Sequence, residues 1–583
     1  MAKEAHDYTD LDKLRHSCAH VLAQAVKSFW PQAKLGVGPP VDHGFFYDID
    51  LDHRLTDEDL LKIEAKMREI VKADYPYIKK EVPRPEAIDF FKKANEPYKL
   101  DIIDRLPADE KVTLVVDGDF TDLCKNPHVH STGEIKALKL LNVSGAYWRG
   151  IETNPMMQRV YGTAFFSQKE LDDSLKAIEE AKKRDHRKLG RELDLFSIQE
   201  EAGPGLVFYH PKGAMLRYLV EQFVREEHLK RDYLFVGGPQ ILKSDVWKTS
   251  GHYSYYKENM FIHEAEDGKE YGIKPMNCPG HMLIYKTQTR SYRQFPLRFF
   301  ELGNVCRNEK SGALHGLLRV RNFTQDDAHI FCLPEQLEAE IGRVIDFMFY
   351  ILGAFGFTEY EIELSTRPKE SIGTDEIWAK ATEALRGALE KKGLKYAVAP
   401  EGGAFYGPKI DLRIKDALGR AWQCSTIQCD FALPEKFELE YASTEGDKKR
   451  PVMLHRAILG SVERFLGTLV EHYAGAFPLW VSPVQVALVP VTEKHGDYAH
   501  QVLKRFEAAK IRGVFLEAND SLGKRVRHAN EEKIPYTLVV GDKEAEAGTV
   551  TVRRRGSRDQ NAMSVEDFLK KIETEIGSRD CSF

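Results

Sequence analysis

The sequence predicts an α+β multidomain protein, and three observations indicate this fold class. With 583 residues the chain is too long for one hydrophobic core and has room for roughly three to five domains. Strand-like segments crowd the middle of the chain with helices around them, which is typical of a mixed, mostly antiparallel sheet. Near the C-terminus strands and helices alternate, which predicts a small α/β domain with a largely parallel sheet.

The first predicted element is a helix at residues 11–30, where apolar side chains recur at helical spacing. His16 and His20 lie four positions apart on it, so both imidazoles occupy one face. Cys124 and His128 repeat this spacing in a later loop. These residue types permit three interpretations: four zinc ligands, a hydrolytic pocket, or unrelated core histidines.

Residues 171–191 are highly charged and have little apolar surface, which predicts a solvent-bridging helix between domains. We therefore predict a first domain at 1–168, a linker helix at 169–192, a large domain at 193–481 and a last domain at 482–583. In the large domain we predict an amphipathic helix at 215–229, strands at 297–302, 317–323, 359–364, 410–414 and 424–431, and a helix at 454–472.

A hairpin with a long loop is predicted around residues 301–327, and it concentrates Arg307, Arg319 and Arg321. Planar guanidinium donors match phosphate oxygens two at a time. Phe323, two residues beyond Arg321, would face the same way and offer a flat surface to a purine ring. A cross-strand ion-pair ladder on a solvated hairpin is the alternative interpretation.

In the last domain the predicted strands are 484–489, 514–516, 536–540 and 550–553, and the predicted helices are 498–509 and 522–532. Ser564 and Asp567 could cap a final helix.

Composition narrows the class of protein. The chain is 42% hydrophobic and 30% charged, and its apolar runs fall short of the ~20 residues that a membrane span needs. Its first residues lack the apolar core of a secretory signal, so we expect a cytoplasmic protein without a membrane partner. Eight scattered cysteines do not predict a disulfide framework. Net charge is −6, but basic stripes at 182–191, 524–528 and 553–558 leave nucleic acid as a candidate partner.

The Arg-x-Glu at residues 307–309 resembles motif 2 of the class II aminoacyl-tRNA synthetases, and GSVER at 460–464 resembles motif 3. The words KPMNCPGH at 274–281 and FTQDDAH at 323–329 narrow the resemblance to the threonyl-tRNA synthetase family, over about residues 16–571. The helix and strand at 215–242 resemble motif 1, which builds a homodimer interface in these enzymes. No Walker-type loop is present in the sequence.

The resemblance implies an editing domain, a class II catalytic domain and an anticodon-binding domain, in that order. It implies ATP-dependent activation of L-threonine, transfer to tRNA(Thr), and hydrolytic editing of seryl-tRNA(Thr). The implied cofactors are one Zn²⁺ per subunit and Mg²⁺ with ATP. Most bacterial members carry a ubiquitin-like domain before the editing domain, and His16 lies so near the start that we expect the type lacking it.

Site residues follow from the same resemblance. Arg307 would grip the α-phosphate, Arg319 and Arg464 the γ-phosphate, Phe323 would stack under adenine and Glu309 would read its amino group, with Gln423 and Ser461 completing the ATP site. The implied threonine-site residues are Met276, Gln325, Asp327, Tyr406, Lys409 and Gln428, with Arg307, Arg464 and Lys409 as catalytic residues and Asp327 taking the amino group. The implied zinc ligands are Cys278, His329 and His455. The implied editing residues are His16, His20, Lys99, Asp122, Cys124 and His128, with His16 positioning the attacking water. The implied anticodon contacts are Asn519, Arg527, Lys543, Glu544 and Arg553.

The need to distinguish threonine from valine explains why a metal site would be useful. Valine has the shape of threonine, so only a site that requires the hydroxyl, such as an open metal position, rejects it strongly. Serine lacks one methyl, worth about 1–3 kcal/mol, so a second hydrolytic site is needed. Spacing alone would have favoured Cys278 with His281 as a local pair.

Two rival interpretations remain at this point. One is a catalytically silent, synthetase-like RNA-binding protein, against which the motif arginines argue. The other is a related class II synthetase of prolyl or seryl type, against which the Cys278, His329 and His455 set argues, together with the His16 and Cys124 pocket.

Overall fold

The computed structural model describes residues 8–107, 110–416 and 419–581. The chain divides into two compact units, Met1–Glu179 and Glu180–Phe583, and each is described by itself. In the part of the chain that the structure describes, we find no helix with the length and apolarity needed to cross a membrane.

The first unit packs helices against antiparallel sheets. Its helices are α1 (Asp10–Phe29), α2 (Asp57–Ala73), α3 (Arg84–Lys93) and α4 (Pro97–Asp104). Its strands are β1 (Lys34–Leu35), β2 (Pro40–Val41), β3 (Gly44–Asp50), β4 (Ile78–Val82), β5 (Val112–Asp117), β6 (Phe120–Leu123), β7 (Ala137–Tyr147) and β8 (Met156–Phe165). Helix α1 begins at a capping box between Thr9 and Asp12, and its apolar face is fully buried at Leu14, Cys18 and Leu22.

The strands that the structure describes in the first unit form two sheets. One runs β1-β3-β8-β7 with β2 paired to β3, and the other runs β4-β5-β6. Strand β6 ends at Leu123, so Cys124 follows directly after it, and the Cys124 N–H donates to the carbonyl of Thr113. This pairing holds Cys124 in a fixed position beside the face of α1 that carries the two histidines.

The predicted linker helix is two helices, α5 (Gln168–Arg184) and α6 (His186–Glu192). Asp185 interrupts them because its backbone is not helical and its carboxylate accepts the N–H of Arg187, which starts a new helix. A helical charge pattern does not reveal such an internal cap.

The middle of the chain is built around a large sheet. Its helices are α7 (Pro211–Leu229), α8 (Asp245–Ser250), α9 (His252–Tyr256), α10 (Cys278–Lys286), α11 (Leu337–Ala354), α12 (Asp375–Lys391), α13 (Leu433–Lys436) and α14 (Val462–His472). Its strands are β9 (Phe196–Ser197), β10 (Phe208–Tyr209), β11 (Leu234–Phe235), β12 (Ile241–Lys243), β13 (Ile262–Glu264), β14 (Glu270–Ile273), β15 (Arg290–Ser291), β16 (Leu297–Cys306), β17 (Asn322–Cys332), β18 (Tyr360–Ser365), β19 (Ala397–Ala399), β20 (Lys409–Lys415), β21 (Ala421–Asp430), β22 (Tyr441–Ala442), β23 (Lys448–Lys449) and β24 (Val452–Ser461).

Among the described residues this sheet runs β11-β16-β17-β24-β21-β20-β18-β19. Its inner pairs are antiparallel, and only the outermost pairs, β11 with β16 and β18 with β19, are parallel. The mixed, mostly antiparallel sheet that the sequence predicts is therefore confirmed. Helices α11 and α12 contribute Ile341, Val344, Ala381 and Leu385 to the large core that the sheet shares.

Two elements predicted for this part of the chain have the wrong bounds. The helix predicted at 454–472 begins only at Val462, because residues 452–461 form β24, which pairs with both β17 and β21. A strand buried on both faces is continuously apolar, and periodicity does not distinguish it from a buried helix. The return strand predicted at 317–323 begins at Asn322. Leu317 and Leu318 are buried in the loop instead, where a Cβ at Gly467 of α14 would meet both side chains at 3.2 and 3.1 Å.

The C-terminal part contains helices α15 (Gly496–Ala508), α16 (Leu522–Glu531), α17 (Asp542–Ala547) and α18 (Val565–Ser578), and strands β25 (Val486–Pro490), β26 (Gly513–Phe515), β27 (Tyr536–Val540), β28 (Thr549–Arg554) and β29 (Gln560–Ser564). The sheet order is β26-β25-β27-β28-β29. The first three strands are parallel and the last two pairings are antiparallel, so the expected largely parallel sheet is only partly present. Short connections after β27 and β28 impose the antiparallel direction. Ser564 caps α18 as predicted.

Candidate functional site

A cleft of about 460 Å³ opens over the central sheet. It is lined by the predicted ATP, threonine and zinc residues Met276, Cys278, Arg307, Glu309, Arg319, Phe323, Gln325, Asp327, His329, Tyr406, Gln423, Gln428, His455, Ser461 and Arg464. Lys409 is not among its lining residues. Lys409 lies on β20, opposite Gln428 of β21, and its ammonium is 2.7 Å from a carboxylate oxygen of Asp411.

Strand register places the cleft side chains. Gln325, Asp327 and His329 alternate along β17, so they share one face of the sheet. His329 lies opposite His455 of β24, and His455 lies opposite Gln428 of β21. Three neighbouring strands therefore present their polar residues side by side, although these residues are far apart in sequence.

Cys278, His329 and His455 offer ligand atoms that all lie within 4.8 Å of one another, and all three residues are buried. Cys278 is the first residue of α10. The thiol and two imidazoles are a donor set that zinc prefers, and three protein ligands leave a position open. Burial raises the pKa of the Cys278 thiol, with Asp327 and Asp430 adding to the shift. A cation at this place would favour the thiolate, so the residues present fit a zinc ion.

Hydrogen bonds around the two histidines fix which nitrogen is available. The His455 Nε2–H donates to Asp430 Oδ2 at 2.8 Å, which leaves Nδ1 free for a metal. His281 Nε2 lies 3.1 Å from Glu301 Oε1, and a carboxylate only accepts, so His281 carries its proton there. Its Nδ1 then accepts from the His329 Nδ1–H at 2.8 Å.

These hydrogen bonds run from Glu301 through His281 to His329, and they leave the lone pair of His329 Nε2 free for a metal. Burial holds the pKa of His329 well below its usual range, with His281 and His455 adding to the shift, which keeps the imidazole in the neutral, ligating form. His281, the local partner that spacing favours, is therefore a neighbour of this ligand group.

The opposite part of the cleft carries guanidinium groups. The Arg307 guanidinium lies 5.2 Å from the centroid of the Phe323 ring, and Arg307 Nε donates to a backbone carbonyl at 3.1 Å. Arg464 Nε donates to the carbonyl of Leu318 at 3.0 Å. Burial lowers the pKa of Arg464, and Arg319 and Arg307 contribute to the shift. Guanidinium charge gathered in this way favours a polyanion as the occupant.

The alternative of an ion-pair ladder holds for one pair. Arg319 Nη2 lies 2.9 Å from Glu309 Oε2 across the loop. Arg321 is not part of the cleft lining, since its Nε donates to the Glu309 carbonyl at 3.0 Å and its N–H to Gly205. Two of the three hairpin arginines therefore line the cleft, and one supports the loop.

Sequence reasoning missed several supporting residues. Asn277 donates to Asp327 Oδ2 at 3.0 Å, and the buried Asp326 accepts the backbone N–H groups of Ile458, Leu459 and Gly460. Successive side chains on a strand point to opposite faces, so only one of Asp326 and Asp327 can face the cleft. This alternation is the sequence signal that could have identified Asp326 as a supporting residue. Gly460 has φ +75°, and a Cβ there would lie 2.6 Å from the Cys424 carbonyl, so the residue before Ser461 must be glycine.

The histidines and cysteine predicted in the first unit do meet. Ligand atoms of His16, His20, Cys124 and His128 all lie within 4.8 Å of one another. His16 Nε2 is 3.1 Å from the Cys124 sulfur, and the His16 and His128 rings stack at 4.5 Å. Burial lowers the pKa of His16 to about 4 and raises the pKa of Cys124 to about 12. Burial likewise holds the pKa of His20 and His128 well below the usual range, so the group is uncharged near neutral pH and Cys124 is a thiol.

Lys99 and Asp122 lie beside this group as a buried ion pair. Lys99 Nζ is 2.5 Å from Asp122 Oδ1, and it donates to the Gly36 carbonyl at 2.8 Å and to the Tyr47 hydroxyl at 3.0 Å. The Tyr47 hydroxyl donates to Asp122 Oδ2 at 2.5 Å. The six predicted residues of this pocket thus lie together, since His20 Nδ1 is 3.8 Å from the Asp122 carboxylate.

The predicted anticodon residues are spread over the C-terminal part. Asn519, Arg527 and Lys543 are exposed, and Arg553 is half-buried on β28. Glu544 caps α17, and its carboxylate accepts from Gly541 N–H and the Thr551 hydroxyl. Two arginines of the basic stripes are structural instead: Arg525 donates to the carbonyls of Pro490 and Val491, and Arg555 to those of Ala476 and Phe477.

Comparison with known proteins agrees with this architecture. Residues 261–473 match the tRNA synthetase class II core domain (G, H, P, S and T), residues 485–575 match an anticodon binding domain, and residues 112–161 match the threonyl and alanyl tRNA synthetase second additional domain. The chain is similar to the threonine–tRNA ligase of Citrifermentans bemidjiense, with 56% identity over 97% of this chain and 89% of the relative. It is also similar to that of Geobacter sp. strain M21, with 55% identity over the same shares.

A solved structure gives the same result. The crystal structure titled as the RNA binding domain of threonyl-tRNA synthetase from Cryptosporidium parvum Iowa II matches with a TM-score of 0.64 and 44% identity, over 67% of this chain and 98% of that chain. High identity over nearly the whole length, a class II core and a second additional domain exclude the prolyl and seryl alternatives. The chain therefore belongs to the threonine–tRNA ligase family of class II aminoacyl-tRNA synthetases.

Proposed function

We propose that the cleft over the central sheet activates L-threonine with ATP and Mg²⁺ and transfers it to tRNA(Thr), by means of a zinc ion held by Cys278, His329 and His455. The observation that carries this proposal is the three-ligand group in the same cleft as the guanidinium groups. The two parts supply what the reaction needs, a site for the amino acid and a site for the triphosphate, at one place.

The ATP part of the cleft acts by position and charge. From the family resemblance we assign Arg307 to the α-phosphate and the new carbonyl oxygen, and Phe323 to adenine stacking; the guanidinium and the ring lie side by side in the cleft, as these roles require. Arg319 of the loop and Arg464 of α14 hold the γ-phosphate, and Glu309, which is paired with Arg319, reads the adenine amino group. Gln423 and Ser461 complete the lining of this part.

The threonine part selects by hydrogen bonding. When bound, zinc supplies a Lewis acid with open positions for the amine and the hydroxyl of the substrate. Asp327, held by Asn277, takes the amino group, and Gln325, Met276, Tyr406 and Gln428 complete the pocket. The Tyr406 hydroxyl donates to Gln428 at 2.5 Å, which orients both side chains. Valine has no hydroxyl to occupy the position that the site provides, so it is rejected strongly. Lys409, which is paired with Asp411, is the further residue that we assign to the threonine site and to catalysis.

We propose that the pocket of the first unit hydrolyses seryl-tRNA(Thr). Support comes from the uncharged His16, which can accept a proton from water, and from Lys99, which is held by Asp122 within the same network. The thiol form of Cys124 argues against a nucleophilic cysteine. His16 Nδ1 lies 3.0 Å from the Gly38 carbonyl and donates to it, so Nε2 is the nitrogen on the pocket side.

We further propose a cytoplasmic homodimer whose C-terminal domain reads the anticodon with Asn519, Arg527, Lys543 and Arg553, positioned in part by Glu544. Support for the dimer comes from apolar side chains that are more than half exposed on α7, β11 and β12, namely Tyr218, Leu234 and Ile241. Support for the compartment comes from the substrates of the family, tRNA and ATP.

The experiment is threonine-dependent ATP–pyrophosphate exchange, followed by tRNA(Thr) charging, for wild type, Cys278→Ser and Cys332→Ser. Cys332 is a matched control because it is a fully buried cysteine at the end of β17. We expect exchange and charging by wild type and Cys332→Ser, and loss of exchange in Cys278→Ser. Binding of tRNA by wild type without exchange would contradict the proposal and favour the silent RNA-binding alternative.

The editing proposal has its own test, deacylation of seryl-tRNA(Thr) by wild type and His16→Ala. We expect His16→Ala to lose deacylation while it retains threonine charging. Equal loss of both activities, or retention of deacylation, would contradict the assignment.

A further inference from the structure

His186, the first residue of α6, does not line the cleft, but it contacts the loop that carries Arg319. Its side chain is fully buried. The imidazole donates Nδ1–H to Glu471 Oε1 at 2.7 Å and accepts the backbone N–H of Leu317 on Nε2 at 3.0 Å. The directions of both bonds are fixed, because a carboxylate only accepts and a backbone N–H only donates.

These bonds exclude a metal at this place. Ligand atoms of Asp185, His186 and Glu471 lie within 4.8 Å of one another, but both ring nitrogens of His186 are already in use. Glu471 is held in turn, because it accepts the backbone N–H of His186 and an Arg420 N–H at 2.5 Å. The group is therefore a rigid anchor for the Leu317 amide.

The anchored amide lies directly before the residues that bear on the ATP part of the cleft. The carbonyl of Leu318 accepts from Arg464 Nε at 3.0 Å, and Arg319 follows with its ion pair to Glu309. A shift of the Leu317 amide would therefore move both guanidinium groups that we assign to the γ-phosphate. Gly316 shows how close the contact is, since a Cβ there would lie 2.1 Å from His186 Nε2.

We propose that His186 is a positioning residue for the ATP γ-phosphate site, acting through the Leu317 amide on Arg319 and Arg464. The inference rests on the proposed function for the identity of the ligand. It assigns to α6, which lies outside the cleft, a part in ATP binding and none in threonine binding.

Two substitutions separate the two bonds of His186. In His186→Gln the side-chain oxygen reaches the position of Nε2 and can still accept from Leu317. In His186→Asn the amide nitrogen replaces Nδ1 and can still donate to Glu471, but the Leu317 N–H loses its acceptor. We expect the KM for ATP in pyrophosphate exchange to rise about tenfold in His186→Asn and His186→Ala, and to stay near wild type in His186→Gln. The KM for threonine is expected to stay unchanged in all three.

His495→Ala is the matched control. His495 is also buried, accepts a backbone N–H from Thr492 at 3.2 Å and bonds to Asp542 at 3.1 Å, but it lies in the C-terminal part. We expect it to lower thermal stability and to leave the KM for ATP unchanged. Equal KM values for ATP in His186→Asn and His186→Gln, or a parallel rise in the KM for threonine, would overturn the proposal.

Amide hydrogen exchange over residues 314–321 gives a readout that needs no catalysis. We expect faster exchange of this loop in His186→Asn than in His186→Gln, and wild-type exchange in His495→Ala. Unchanged loop exchange in His186→Asn would overturn the anchor. Absence of threonine-dependent activity in wild type would contradict the proposed function instead, and the two failures are thereby distinguished.

Discussion

His281 is hydrogen-bonded to the candidate zinc ligand His329, and we expect its replacement to weaken zinc binding. In His281→Ala the Nδ1–H of His329 loses the acceptor that lies 2.8 Å away. His329 is only 1% exposed, so water does not replace that acceptor readily. The His329 ring is then free to turn or to exchange its tautomer, and its Nε2 lone pair is no longer held toward Cys278 and His455.

The magnitude follows from the orphaned donor. A buried N–H without a partner costs about 1–3 kcal/mol, and loss of a hydrogen-bond partner behind a ligating histidine typically weakens metal binding about 10–100-fold. We therefore expect His281→Ala to weaken zinc binding about 10–100-fold. His281→Asn places an acceptor near the position of Nδ1, so we expect it to recover most of the loss.

Zinc affinity is measured by competition with a chromophoric chelator, on proteins whose folding is checked by circular dichroism. His263→Ala, which removes an exposed histidine of β13, is the control and is expected to bind zinc as wild type does. Wild-type zinc affinity in His281→Ala would refute the tautomer argument, as would equal losses in His281→Ala and His281→Asn.

Three further predictions concern stability and the anchor. Burial, with Asp122 adding, raises the pKa of Asp117 from 3.8 to about 8, so the folded chain keeps a proton that the unfolded chain releases. The contribution of this proton to the free energy of unfolding falls as pH rises toward 8. Relative to wild type, the free energy of unfolding of Asp117→Asn should therefore increase by up to about 1.4 kcal/mol per pH unit between about pH 4 and 8. Equal differences from wild type in thermal unfolding at both ends of that range would contradict this expectation. Asp122→Asn leaves Lys99 as an unpaired buried charge, so we expect the free energy of unfolding to fall by about 3–5 kcal/mol. Denaturant unfolding measures this loss, and adding Lys99→Met should recover part of it. An unchanged midpoint would refute the expectation. Gly316→Ala places a Cβ against His186 at a φ of +48°, and a KM for ATP that stayed at the wild-type value would contradict our expectation of a rise.

The sequence predicted the elements that periodicity defines. Helix α1 and strand β27 have nearly the predicted bounds, because one-sided apolar spacing and a short apolar run between turn residues are local signals. Strand β24 was predicted as a helix, because it pairs on both sides and its side chains are buried on both faces. The loop at 314–321 looked like a strand, because its leucines pack against α14.

The candidate zinc ligands show where residue patterns alone fail. Cys278, His329 and His455 are brought together by a helix start and two neighbouring strands, and their separations in sequence carry no spacing signal. Only the resemblance to a known family pointed to this set. The supporting groups Glu301, His281 and Asp430 follow from hydrogen-bond directions, which require the folded geometry.

The pocket of the first unit could be predicted only in part. Two local pairs spaced four residues apart, His16 with His20 and Cys124 with His128, left a zinc site, a hydrolytic pocket and unrelated core histidines open, and the family resemblance favoured the pocket. The structure brings the four side chains together. Their protonation states follow from burial, which the sequence does not give. The uncharged histidines and the thiol of Cys124 are therefore results of the structure.

If a zinc ion held by Cys278, His329 and His455 selects threonine, then zinc content and selectivity among amino acids must go together. Zinc content of the purified protein is determined together with ATP–pyrophosphate exchange for threonine, serine and valine. We predict one zinc per chain, strong exchange with threonine, weaker exchange with serine and none with valine. Exchange with valine comparable to that with threonine, or full threonine activity in protein without zinc, would contradict the account.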